Sequence, residues 1–212
     1  MFLLLFPALA LCQYATAPAG GAPEGVAPAL AKVLQKDGAK VTNAGAPYCT
    51  IWFRTDKPAG GKPAEENQTL ASINPGALLG VIRFDAKGQD RRGQGIKPGV
   101  YTLRYGLIPI NGDHQGAAPQ RDFVVMIPAA LDPDPASMPT FEQMMEMSRK
   151  ASGTPHPAVL SLWKADADGP VGISKQGEND WVMQEKVGDT PISLIVAESP
   201  STRPGACLKP AA

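Results

Sequence analysis

From Tyr48 to Val196 the chain repeats one device: short runs in which apolar side chains fall at every second position, each cut off by glycine, proline or aspartate. Two is the period of a pleated strand that buries one face and wets the other. The runs are YCTIWFR (Tyr48 to Arg54), ALLGVIRFD (Ala77 to Asp85), VYTLRY (Val100 to Tyr105), DFVVMI (Asp122 to Ile127), AVLSLWK, DWVMQEKV and PISLIVAE. Strands of this kind must cover their apolar faces, and two packed antiparallel sheets do so directly. The chain is therefore expected to be mainly β, an antiparallel two-sheet β-sandwich, with residues 26–197 as one domain. Within VYTLRY the alternation turns Tyr101, Leu103 and Tyr105 inward and Val100, Thr102 and Arg104 outward.

Two accessory helices complete this expectation. Val26, Leu30, Val33 and Leu34 recur at helical spacing, with Gly38 placed to stop the helix. SMPTFEQMMEMSRKASG offers Ser137 or Thr140 as a cap, Pro139 for the first turn and Gly153 as a stop. Its stripe of Phe141, Met144, Met145 and Ser148 reads as an adaptable core contact. With 22 glycines and 22 prolines, the rest of the chain is rich in turns.

Ahead of the domain, the first charged residue is Glu24, and Phe2 to Leu11 is an apolar run too short to span a bilayer but of the length of a secretory signal. Residues 1–17 read as a signal peptide and the start of a linker, with cleavage after Ala10. The Ala/Pro/Gly stretch over 13–25 reads as a spacer, 18–25 being the linker proper, and 198–212 as an irregular tail. The mature chain then lies in the periplasm or outside the cell and has no transmembrane span. Leu9-Ala10-Leu11-Cys12 also resembles a lipoprotein signal, which would anchor the chain at Cys12 as an accessory subunit of an envelope complex. Once Cys12 is removed or acylated, Cys49 and Cys207 remain as an even pair able to form a disulfide in an oxidising compartment; two unpaired thiols are the alternative.

Twenty basic and twenty acidic residues cancel, and no basic run offers a groove for a phosphate backbone, which excludes nucleic acid. Nucleophile elbows, dinucleotide fingerprints and paired-cysteine zinc motifs are missing. The sharpest chemical candidate is Asp113-His114, in a glycine-rich turn, together with His156. Two imidazoles and a carboxylate can hold a divalent metal, and thus support a metal-dependent enzyme, if the fold brings them to one end of the sandwich. The competing reading of GDHQG is a loop tip whose glycines and Asp113 set the turn. Asp85, Asp90, Arg91, Arg92 and the pair Arg121-Asp122 form charge clusters able to grip a carboxylate or a sugar, with solvated loop faces as the plainer reading. Asp113, His114, His156 and Arg121 are thus the candidate ligand-binding residues. Trp52, Trp163 and Trp181 are expected to be core rather than a platform for sugar rings.

The runs LLGVIRFD, GIKPGVYTLRYG and GDHQGAAPQRDF, followed by SGTPHPAVLSLWKAD, resemble a group of exported bacterial proteins of acidobacterial type without an assigned function, over roughly residues 30 to 197. PGVYTLRYG is more loosely similar to a strand of transthyretin-like and carboxypeptidase regulatory-like β-sandwiches. The resemblance implies an exported β-rich fold and transfers no catalytic residue. The sequence reading is therefore an exported, non-catalytic binding or structural module with no required cofactor. Its partner would be a small molecule, a glycan or an envelope protein.

Overall fold

The computed structural model of the chain describes residues 13–58, 60–61, 64–110 and 120–198. Its elements run in the order β1 (Tyr14–Pro18), α1 (Pro28–Val33), β2 (Ala39–Asn43), β3 (Ala46–Phe53), β4 (Leu78–Phe84), β5 (Gly88–Gln89), β6 (Gly95–Ile96), β7 (Gly99–Leu107) and β8 (Asp122–Pro128). A single 3-10 turn (Ala129–Leu131) follows, then α2 (Phe141–Ser152), β9 (Val159–Lys164), β10 (Gly172–Gln176), β11 (Asp180–Val187) and β12 (Thr190–Glu198). Neither helix is long and apolar enough to cross a membrane.

The described residues are mainly β, as the alternating runs predict, with two α-helices among them. Where the sequence reading divides the strands between two sheets, hydrogen bonding joins ten of them in one antiparallel sheet, ordered β1-β2-β3-β4-β7-β8-β9-β12-β11-β10. The join is β9, which pairs with β8 along one edge and with β12 along the other. The sheet curls until it is nearly a barrel, bringing β1 against β10. Rings close part of this seam: Tyr14 on β1 lies 5.3 Å from Trp181 on β11 and 5.3 Å from Tyr48 on β3. The interior is filled by inward side chains such as Ile51, Phe53, Leu79, Leu103, Val124 and Leu194, all buried. Each is worth roughly 1.5–3 kcal/mol in water-exclusion terms.

Tyr101, Leu103 and Tyr105 face this core as expected. The opposite face of β7 is covered too, contrary to the simple alternation: Thr102 and Arg104 are fully buried. The segment after the 3-10 turn docks over them through Asp132. Its carboxylate takes Arg104 Nε and Nη2 at 2.7 Å each and the Thr102 hydroxyl at 2.5 Å. The guanidinium also donates to the carbonyls of Gly76, Asp134 and Ser137.

The stretch read as a spacer is partly β1, which pairs with β2 in register from Tyr14↔Asn43 to Pro18↔Ala39. Sequence periodicity misses it because only Tyr14 of its five residues is buried; its remaining support is the backbone ladder. Gly38 does not stop α1, which ends at Val33. It makes room for the Trp52 ring, because a Cβ there would come within 2.5 Å of Trp52 Cε2. The indole donates to the Gly20 carbonyl at 2.8 Å. Trp52 and Trp181 are buried, as the core reading expects, and Trp163 is half-buried.

Helix α2 begins and ends where its residues dictate. Thr140 forms a capping box with Gln143, and Gly153 closes the helix in the left-handed region at φ 66°. Met144 packs on Val125 and Ile127, on the outer face of β8. The Ser148 hydroxyl donates to the Met126 carbonyl at 2.7 Å and accepts from the Ala158 amide at 2.9 Å. These bonds tie the helix to the strand edge below it.

Candidate functional site

The outer surface of the barrel carries a groove of about 460 Å³, bounded by α2, the turn at 91–92, the end of β7 and the start of β9. Its origin is a difference in side-chain size between paired residues. Phe123 on β8 stands opposite Ser161 on β9. The Phe123 ring leans the other way, over Gly106 of β7, where a Cβ would come within 2.5 Å of its Cζ. The small Ser161 therefore leaves the floor open beside a large aromatic. Phe141 and Met145 of α2 form one wall, with the Phe141 ring 6.4 Å from Phe123 in an edge-to-face arrangement. Ile108 and Pro109 close one part of the rim, and Pro157, Arg91 and Arg92 another.

Two polar groups meet this apolar bed. Ser161 is 7% exposed, and among the described residues nothing bonds its hydroxyl. Arg92 is exposed at the rim, and among the described residues no acceptor meets its guanidinium. Arg91 differs: it pairs with Asp180 at 3.3 Å and with Glu198.

The turn that carries both arginines is not the solvated tip that its composition suggests. Asp90 is buried. Its Oδ1 accepts from the amides of Arg92 and Gln94 at 2.9 and 2.8 Å, and its Oδ2 from Gln94 Nε2 at 2.7 Å. The Arg91 amide donates to the Val159 carbonyl at 2.8 Å, so the turn is stitched to the start of β9. Gln94 continues the link, donating to the Pro157 carbonyl and accepting from the Thr154 hydroxyl. Thr154, Ser152 and His156 then form a compact turn after α2.

Of the residues singled out from the sequence, His156 is exposed and joins this turn through its backbone, one residue before the groove's Pro157. Arg121 is mostly buried and does not line the groove. It donates from Nε to the Ile108 carbonyl at 2.6 Å and pairs with Glu65 at 3.0 Å, fixing the chain behind Ile108. Its neighbour Asp122 is a buried structural acceptor, taking the amides of Thr69 and Leu70 and the Tyr105 hydroxyl. That bond, after burial itself, holds the Tyr105 phenol well above its ordinary range. Asp113 and His114 lie outside the described residues, as do Cys12 and Cys207. Cys49 is a buried thiol without a disulfide partner among the described residues, and burial pushes its ionisation upward. Among the described residues no three of His, Cys, Asp and Glu gather as a metal site.

Sequence reasoning flagged Arg91 and Arg92 but missed Phe123, Phe141, Met145 and Ser161 as groove residues. Nothing local marks Ser161: its role comes from the cross-strand partner that the fold gives it. No protein-family model, curated protein or solved structure matches the chain, so a functional reading rests on this geometry.

Proposed function

We propose that the chain is an exported, non-catalytic binding module that takes a small, largely apolar molecule in the groove between α2 and the β8–β9 surface. The observation that carries this is the open bed between Phe123, Phe141 and Met145, floored by a Ser161 hydroxyl that nothing bonds among the described residues. Its volume of about 460 Å³ lies within the ~300–1,000 Å³ of small-molecule sites, and apolar walls with a few fixed polar groups are their usual chemistry. Ala15-Thr16-Ala17 offers a second small-x-small cleavage site; cleavage after Ala10 would keep all of β1 in the mature chain, whereas cleavage after Ala17 would remove most of it. The mass of the mature protein distinguishes these.

Ser161→Phe tests the groove by filling it from the floor. A neutral solvatochromic dye such as Nile red should brighten with the native protein and lose that response in the variant. Far-ultraviolet circular dichroism and the melting temperature should stay close to native, since an aromatic opposite Phe123 is a favourable cross-strand pair. Equal dye response in both proteins would place the binding elsewhere and remove the proposal.

A further inference from the structure

Among the described residues, one guanidinium at the groove's rim has no carboxylate paired with it, and this narrows its ligand. We infer that the site selects a carboxylate carrying an apolar body, with Arg92 as the group that meets the anion. The inference rests on the groove reading above.

Of the two guanidinium groups at the rim, Arg91 is already compensated by Asp180 and Glu198. Arg92 has no carboxylate partner among the described residues. The acid nearest to it in sequence, Asp90, is filled by its own donors: the amides of Arg92 and Gln94 on Oδ1, Gln94 Nε2 and the Val159 amide on Oδ2. Its charge is turned into the loop rather than toward the groove. At the open end of the apolar bed, then, Arg92 is a guanidinium that no carboxylate among the described residues pairs with.

Arg92 is also well held at its base. Its amide is bonded to Asp90, the preceding amide is bonded to Val159, and the following Gly93 amide returns to the Asp90 carbonyl at 3.0 Å. Only the side chain remains to be ordered on binding, which limits the entropic cost. A guanidinium presents parallel N–H donors that match the two oxygens of a carboxylate. Ser161, on the floor, can bond a second polar atom of the ligand. A cationic head would face Arg92 unfavourably, and a neutral head would lose the charge-assisted bonds.

The test uses three probes with one apolar body: 4-phenylbutyrate, 4-phenylbutanol and 4-phenylbutylamine, titrated calorimetrically into the full chain. The native protein should prefer the acid to the alcohol by about 10-fold, the size of a charge-assisted hydrogen bond, with the amine weakest. Arg92→Gln should abolish the difference between acid and alcohol by weakening the acid about 10-fold. Arg92→Glu should reverse the order so that the amine binds best, and Arg91→Gln should keep the preference for the acid. Equal binding of all three probes to the native chain, abolished by Ser161→Phe, overturns the charge selection and leaves the groove reading standing. Binding of none, together with an unchanged dye response in Ser161→Phe, overturns both.

Discussion

Asp132→Ala tests whether the 132–140 segment is held by a buried charge pair. Arg104 is fully buried, and Asp132 is the only carboxylate it meets among the described residues, through two bonds of 2.7 Å. Removing Asp132 leaves the guanidinium among the carbonyls of Gly76, Asp134 and Ser137, which satisfy N–H groups but carry no neutralising charge. Breaking one partner of a buried pair costs about 3–5 kcal/mol, a third or more of the stability of many domains. With a urea dependence of about 2 kcal/mol per molar, the unfolding midpoint should fall by about 2 M. Asp132→Asn keeps an acceptor for the Thr102 hydroxyl and should fall between the alanine variant and the native chain. A loss below about 1 kcal/mol for Asp132→Ala would show that the carbonyls alone suffice for the guanidinium, and the account of this face of β7 would fail.

Gly38→Ala should destabilise by about 1–3 kcal/mol, the usual cost of overpacking, because its Cβ meets the buried Trp52 ring; thermal unfolding measures this, and Gly38→Ala combined with Trp52→Phe should regain part of the loss. The alkaline limb of stability is set by buried acids that the fold keeps neutral. Burial raises the Cys49, Tyr48 and Tyr105 groups, so the folded state holds protons that the unfolded chain releases. Their stabilisation is complete below the ordinary thiol and phenol ranges, about 8.5 and 10. It declines as pH rises from there toward the folded values, by about 1.4 kcal/mol per pH unit for each group. Melting temperatures between pH 7 and 10.5 should fall accordingly, and Cys49→Ala should flatten the first part of that fall; an unchanged profile in the variant would contradict it.

The legible parts of this chain are those where one residue's neighbours in sequence are also its physical reasons. Tyr48 to Phe53 and Val124 to Ile127 announce strands because their own side chains supply the burial, and α2 is bracketed by Thr140 and Gly153 because caps act locally. β1 and β10 are quiet for the opposite reason: apart from Tyr14 and Ile173 their residues are small or polar, and their pairing comes from β2 and β11. Asp90 looks like a surface charge until the fold places four donors around it. The groove is hidden most deeply, since it depends on Ser161 facing Phe123 across a strand pair and on Phe123 lying over Gly106. The candidate pairing of His114 with His156 was visible as composition, but composition carries no distance.

The seam has a consequence for the order in which this molecule forms. Tyr14 and Trp181 touch, although one is near the beginning of the chain and the other is in its penultimate strand. A ribosome or a secretion pore working from the amino end delivers the first edge long before the second exists. Until β11 emerges, the contact between Tyr14 and Trp181 cannot form, and the curled sheet stands ajar. Shutting it joins contacts far apart in sequence, a slow class of event, so the last strands to appear set the moment at which the two ends of the sheet can meet.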